Sequence, residues 1–456
     1  MRPLFCYNVV KKERGSMSLK KLNAMNGAPC ACGKSHRFDS TVITGKNALE
    51  HLTTEVRRLN GAKAFVLSDP NTFQAAGSRV CQLLLDAGIP YTAFTFPETQ
   101  PEPDEHSVGA AVMHMDAGCD IVIGVGSGVV NDIGKILSAL SRRPYIIVAT
   151  APSMDGYASA TSSMNRSGLK ISLPSRCADT IIGDPAILCQ APMKLLRSGL
   201  GDMLAKFVSI CEWRIAHLLL GEYYCEEVAQ LIREAVQQCV SQAQGLLERR
   251  EEAVMAVFEG LIIGGVAMNY AGVSRPASGV EHYISHVLDM RGVEFGLPVE
   301  LHGIQCAAGT RIAAHLYEKL QVASPDPEKA LAHAANFRVE DWNETLRKLL
   351  GKGAESMIAL EKKERKYDIQ THKARLDKIL DSWEQILEII RQEIPGADVL
   401  DALYSQLELP GSFPELGEDP QMLPTVLRAT KDIRDKYVLS RLVWDLGLED
   451  EIFGKE

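Results

Sequence analysis

Two regimes of apolar patterning divide the chain. Between about residue 40 and residue 190, short unbroken apolar runs alternate with stretches of helical period. Ala64–Ser68 is one such run; it ends in the turn Asp69-Pro70-Asn71. Val80, Leu83, Leu84 and Leu85 then follow at helical spacing, closing at Gly88. Short apolar runs bounded by turn formers predict strands buried on both faces. Tyr91–Phe96, Asp120–Gly126 and Tyr145–Ala149 repeat the signal. A helix is predicted over His106–Ala117, and a last strand signal falls at Asp184–Leu188. Strands alternating with helices predict a mostly parallel, helix-covered sheet. From Met193 onward the pattern is helical, with Leu/Ile/Ala stripes and charged faces. The expected organisation is an N-terminal segment 1–39, an α/β domain 40–190 and an all-α domain 191–456, with the change near 185–192.

Composition adds exclusions. At 456 residues the chain exceeds one small core. A formal charge of −9 without a basic stripe argues against nucleic-acid binding but leaves a small anionic substrate open. The longest apolar stretch, Gly260–Met268, falls well short of the ~18 residues that span a bilayer, so no membrane partner is expected. The first thirty residues lack an apolar segment, and no signal peptide is expected. Eleven cysteines without framework spacing fit reduced thiols in the cytoplasm. Three of the sulfur and nitrogen donors, Cys30, Cys32 and His36, lie within seven residues. They offer three zinc ligands, but no fourth is nearby in sequence and C-x-C is tight for one tetrahedral site. A structural zinc and a loop of buried or reduced thiols both remain readings of that segment.

Gly124-Val-Gly126-Ser-Gly128 joins a predicted strand to a predicted helix. Such a turn lets backbone N–H groups approach a phosphate at a helix N-terminus, although packing glycines explain it equally well. It also sits after the third predicted strand, whereas the usual dinucleotide fingerprint follows the first. Asp69 is placed to bind an adenosine ribose or simply to form a turn before Pro70. Thr150–Gly156 is a polar loop at the carboxyl edge of the sheet, where ligands of such folds bind. In the helical half, His282 and His286 are four apart, on one helix face. With His302 and Asp202, from separate helical patterns, they compose a divalent-metal site with an open position; ordinary helix-face histidines are the other reading.

The segments GVGSGVVNDIGK, VATAPSMDGYASA, GLGDMLAK, SRPASGVEHYISH and LHGIQCAAGT agree in order and spacing with one superfamily. Together they resemble the metal-dependent polyol dehydrogenases that include iron-containing alcohol dehydrogenase, glycerol dehydrogenase and dehydroquinate synthase. Within it they are most similar to the bacterial sn-glycerol-1-phosphate dehydrogenases of the arabinose-operon type. The resemblance covers roughly residues 60–315. It implies an NAD cofactor, with NADP as the alternative, lined by Gly128, Val129, Val130, Asn131, Asp132, Thr150, Ala151, Pro152 and Ser153, with Ser159 nearby. Asp69 would hold the adenosine ribose, and Asp155 would face the substrate. Asp202, His282 and His302 would hold one divalent ion, zinc or nickel, with iron also allowed. Asp202 would also touch substrate, and His286 would contact it and move the proton. Superfamily members of the dehydroquinate synthase type carry Glu where Asp202 stands, which favours a dehydrogenase over a lyase. Ser127 departs from the Gly common in relatives. Glu281 is expected to support the first imidazole, and Arg275 with Ser278 to meet a substrate phosphate. The expected partners are a small phosphorylated three-carbon substrate and a second copy of the chain in a homodimer.

Overall fold

A computed structural model describes residues 17–166 and 169–455. Residues 1–16, on which the signal-peptide expectation chiefly rests, lie outside the described residues. The strands are β1 (Thr41–Thr44), β2 (Ala64–Ser68), β3 (Tyr91–Thr95), β4 (Ile121–Gly126), β5 (Tyr145–Ala149), β6 (Thr161–Arg166), β7 (Leu169–Pro174) and β8 (Thr180–Gly183). Six of them form one sheet in the order β1-β8-β5-β4-β2-β3, every neighbouring pair parallel. β2, β4, β5 and β8 are buried at every residue, as unbroken apolar runs require. The edge strand β3 is mostly half-exposed. β6 and β7 form a separate antiparallel pair.

Four predicted strands stand where expected. β1 and β8, four residues each, were too short to register as runs. The strand signal at Asp184–Leu188 is displaced: the strand ends at Gly183, and Asp184 instead caps a short helix, Pro185–Leu188. Asp184 accepts from the Ala186 N–H, and proline at the first helical position completes a helix start.

The helices that matter below are α1 (Met17–Met25), α2 (Ser78–Asp86), α3 (Gly128–Ser141), α4 (Met193–Leu204), α5 (Lys206–Leu220), α6 (Glu226–Leu247), α7 (Glu251–Ala271), α8 (Val280–Phe295) and α9 (His302–Gln321). The chain divides into two compact units. The first holds residues 1–203 and 226–273, the second residues 204–225 and 274–456. In the first, α2 presents Val80, Leu83 and Leu84 to the same apolar core as β2, β4 and β5. Helix α7 is apolar almost all round. Among the described residues it alone is long and apolar enough to cross a membrane, and 89% of its most apolar stretch is buried inside the protein. That pattern is what a core helix requires. Among its described residues the second unit is built of helices joined by loops, without a strand.

Candidate active site

In the first unit, the chain goes from β2 outward to β3 and from β4 the other way to β5. The β2–β4 pair is thus a topological switch point, and the crevice at its carboxyl ends is where open α/β sheets bind ligands. Two predicted cofactor segments meet that edge: Asp69 directly follows β2, and Ser127 and Gly128 directly follow β4.

The glycines after β4 have separate duties. A Cβ at Gly124 or Gly134 would overlap the Tyr145 ring, and one at Gly126 would overlap Val130. Those three are packing glycines. Gly128 is different, because an added Cβ would make only ordinary contacts there. It opens α3 together with Val129, and both are half-buried. Ser127, the N-cap, makes no side-chain cap. Its hydroxyl turns instead to Ser153 Oγ at 2.5 Å and accepts from Tyr157 Oη at 3.2 Å. The first N–H groups of α3 therefore keep the polarity that suits an anion.

Other predicted cofactor residues brace the loop. Val130 and Asn131 are buried, and Asn131 donates to the Gly156 carbonyl at 3.0 Å. Asp132 pairs with Lys135 at 2.8 Å. Thr150, Ala151, Pro152, Ser153 and Ser159 are all buried or nearly so. Ser198 on α4 donates to the Ser153 carbonyl at 2.9 Å. Only glycine fits at position 199, where a Cβ would overlap the Pro152 carbonyl oxygen. That contact seats Asp202, fully buried, so that its Oδ2 accepts from the Asp155 N–H at 2.9 Å. Asp155 and Asp202 are thus brought together.

Asp69 is 8% exposed and forms a capping box. It accepts from the Thr72 N–H at 2.9 Å, and the Thr72 hydroxyl accepts from its own N–H at 3.0 Å. Its turn-forming role is therefore real, and a ribose contact would use its other oxygen. Serine also caps helices, so Asp69→Ser keeps the turn while removing the charge. The ratio of kcat/KM for NAD over NADP is expected to fall by roughly tenfold or more, as relief of carboxylate–phosphate repulsion requires. An unchanged ratio would remove Asp69 from the cofactor site.

In the second unit, His282 on α8 and His302 at the start of α9 place their rings 5.0 Å apart. Their ligating nitrogens and Cys306 Sγ all lie within 4.8 Å of one another. Cys306 was not anticipated; its signal was the four-residue, one-turn spacing from His302. The His286 ring lies 6.4 Å from that of His302, and His286 is not one of the clustered donors. Close approach of the two helices explains the small residues of α9: a Cβ at Gly309 would overlap the backbone of Glu281.

Each imidazole is oriented by a neighbour. His302 Nδ1 lies 3.1 Å from Ser285 Oγ, and that hydroxyl donates onward to Gln305 Oε1 at 2.5 Å. Gln305 in turn donates to Asp289 at 3.3 Å. With its proton committed to Gln305, Ser285 accepts from Nδ1–H, which leaves the lone pair on Nε2. His282 Nδ1 bonds Glu281 Oε1 at 2.8 Å in the same manner. Burial, joined by the charge of Lys206, holds the His282 imidazole well below its usual range. It is neutral near pH 7, the form that binds metals. Glu281 is fully buried, and burial followed by the charge of Glu212 raises its carboxyl. Its Oε2 is buried without a hydrogen-bond partner. A Cβ at Gly279 would overlap both carboxylates, which explains the glycine of SGVEH. The donor set of two imidazoles and a thiol fits a divalent, borderline-soft ion. Ser285→Ala is expected to weaken metal affinity by about 10–100-fold, measured by competition with a chelating dye. Unchanged affinity would show that the Ser285 hydrogen bond does not orient His302.

Arg275 does not serve as expected. It is buried, grips Glu222 with two bonds of 2.6 and 2.7 Å, and donates to the Tyr437 carbonyl at 2.8 Å. The cation beside Ser278 is Lys436, whose Nζ bonds the Ser278 carbonyl and hydroxyl, each at 2.9 Å. Burial, with Arg275 adding, lowers its ammonium to about 7. Lys436 lies far from Ser278 in sequence and carries no motif.

Residues 43–192 match the family described as iron-containing alcohol dehydrogenase. Glycerol-1-phosphate dehydrogenase [NAD(P)+] of Bacillus licheniformis is 26% identical over 93% of this chain and 94% of its own length. The enzyme of that name from Methanothermobacter thermautotrophicus is 34% identical over 60% of this chain and 77% of its own. The chain belongs to the glycerol-1-phosphate dehydrogenase family. Glycerol-1-phosphate dehydrogenases are NAD(P)-dependent oxidoreductases, in agreement with the cofactor class expected from the motifs. The fold agrees as well. A glycerol dehydrogenase of Schizosaccharomyces pombe superposes with a TM-score of 0.57 at 17% identity, over 90% of this chain and 89% of that one.

Proposed function

We propose that the chain interconverts dihydroxyacetone phosphate and sn-glycerol 1-phosphate with NAD(P). The observation that carries this reading is the buried, neutral His282 facing His302 within ligating distance, in a chain of this family. A divalent ion, zinc or nickel with iron as a further fit, would supply Lewis acidity at the ketone oxygen when held by His282, His302 and the Asp202 carboxylate that the motif resemblance assigns. The protein's own groups do the rest. The N–H groups at Gly128 and Val129 hold the pyrophosphate, and Asp69 holds the ribose. Hydride passes from the nicotinamide to the carbonyl carbon, and the oxygen gains the proton that His286 delivers. Asp155 orients the substrate. Ser278 and Lys436 take the phosphate in place of Arg275. A homodimer working in the cytoplasm completes the proposal.

The test is NADH oxidation by purified protein with dihydroxyacetone phosphate and, separately, with unphosphorylated dihydroxyacetone. Turnover of the phosphorylated ketone alone supports the proposal. Turnover of the unphosphorylated ketone alone, or no net NADH consumption, overturns it. Stripping the metal is expected to abolish turnover while leaving NADH binding, read by its fluorescence, nearly intact, and added zinc or nickel should restore the rate. Full activity in metal-free protein would remove the Lewis acid from the reaction.

A further inference from the structure

The sequence left Cys30, Cys32 and His36 one ligand short, and folding supplies it. The ligating atoms of Cys30, Cys32, His36 and Cys225 all lie within 4.8 Å of one another. We propose that these four residues form a closed structural site for a tetrahedral divalent ion, zinc, in addition to the metal assigned to His282 and His302.

Four observations carry the proposal. The first is the local turn. Cys30 N–H donates to the Lys34 carbonyl and Gly33 N–H to the Cys30 carbonyl, each at 2.9 Å. An antiparallel bridge joins Pro29 to Ser35. Gly33 takes φ +82°, a left-handed value that suits glycine. This tight knuckle turns both thiols and the imidazole toward one point.

The second is the orientation of His36, which is 2% exposed. Its Nδ1 lies 3.1 Å from the Tyr270 carbonyl, which only accepts, so Nδ1 carries the proton and Nε2 the lone pair. The ring also stacks on Tyr270 at 5.0 Å. Nε2 points at Cys32 Sγ, 3.5 Å away. With zinc–sulfur near 2.3 Å and zinc–nitrogen near 2.0 Å, tetrahedral donors sit about 3.5–3.8 Å apart, so this edge is already at bonding separation.

Third, Cys225 is 1% exposed and is peptide-bonded to Glu226, the first residue of α6, where the chain re-enters the first unit. The knuckle lies against that same helix start, because Ala31 N–H donates to Glu227 Oε1 at 3.4 Å. The position of Cys225 is thus set by its bond to α6. Fourth, three thiols and one imidazole leave no open coordination position, the mark of a structural rather than a catalytic site. The ion would tie the segment after α1 to the start of α6, and none of the four residues is asked for by the hydride-transfer chemistry.

The experiment uses the full chain carrying His282→Ala and His302→Ala, which removes the imidazoles of the other site. This protein is expected to retain one zinc per chain by elemental analysis. Adding Cys30→Ser and Cys225→Ser should reduce it to background. Replacement of the zinc by cobalt gives a second readout that needs no cysteine substitution. Three thiolates around tetrahedral cobalt produce intense visible bands and a near-ultraviolet thiolate-to-cobalt transition. That spectrum in the His-to-Ala protein supports the site even where the Cys-to-Ser chain fails to fold. A pale octahedral spectrum, no retained metal, or zinc unchanged by the cysteine substitutions would overturn it. Failure of the dehydrogenase assay leaves these readouts untouched, so the two proposals fail separately.

Discussion

His282→Ala is expected to lose its metal and its turnover together. The ring is nearly buried, its lone pair is aimed at the cluster with His302 and Cys306, and burial keeps it neutral. Alanine removes one ligand, and with it one of the two hydrogen-bond partners of Glu281 Oε1, so fewer donors remain. Lewis-acid stabilisation is worth several kcal/mol, and each 1.36 kcal/mol is tenfold in rate, so the fall in kcat should be about 10³-fold or more. NADH should still bind, because the α3 N-terminus and Asp69 belong to the other unit. Elemental analysis and NADH fluorescence on the same sample decide the matter. Metal and turnover surviving in this variant would mean that His282 is a buried core histidine.

His286→Ala should behave differently. His286 sits one helical turn from His282, is half-buried, and stands outside the cluster of ligating atoms. The variant is expected to keep its metal and lose about 10²–10⁴-fold in kcat, the usual worth of a positioned acid or base. A rise in KM with kcat unchanged would make it a substrate-positioning group instead. Should the metal depart as it does from His282→Ala, His286 is itself a ligand.

The parallel sheet was visible in the sequence because β2, β4 and β5 are buried on both faces and are therefore almost wholly apolar. β1 (TVIT) and β8 (TIIG) carry only two large apolar residues each and are four residues long, below the length at which a run stands out from a helix segment. Asp184-Pro185 misled because its apolar neighbours Ile187 and Leu188 belong to a capped helix turn. The imidazoles were found because they are four residues apart or belong to recognisable motifs. Cys225 and Lys436 were not. Each reaches its partners across a long stretch of chain, and no local periodicity records such a meeting. Arg275 erred in the opposite sense: its neighbourhood in sequence invited a phosphate, while burial had already committed it to Glu222.

The first unit is discontinuous in the chain, and this has a consequence for biosynthesis. Its sheet is complete at Gly183, yet α6 and α7 come only after the 22 residues 204–225, which belong to the other unit. At about 5–20 residues per second, a ribosome needs roughly 4–18 s to pass from Gly183 to the end of α7 at Ala271. During that time the growing sheet waits for the apolar helix that will bury it. Helix α7 then emerges as a segment apolar enough to be taken for a membrane span until it docks. The vulnerable moment of this protein therefore falls near the middle of its translation, before α7 is complete at Ala271 of the 456 residues. Truncation anywhere before Val273 should yield a chain held by chaperones rather than a folded nucleotide-binding half.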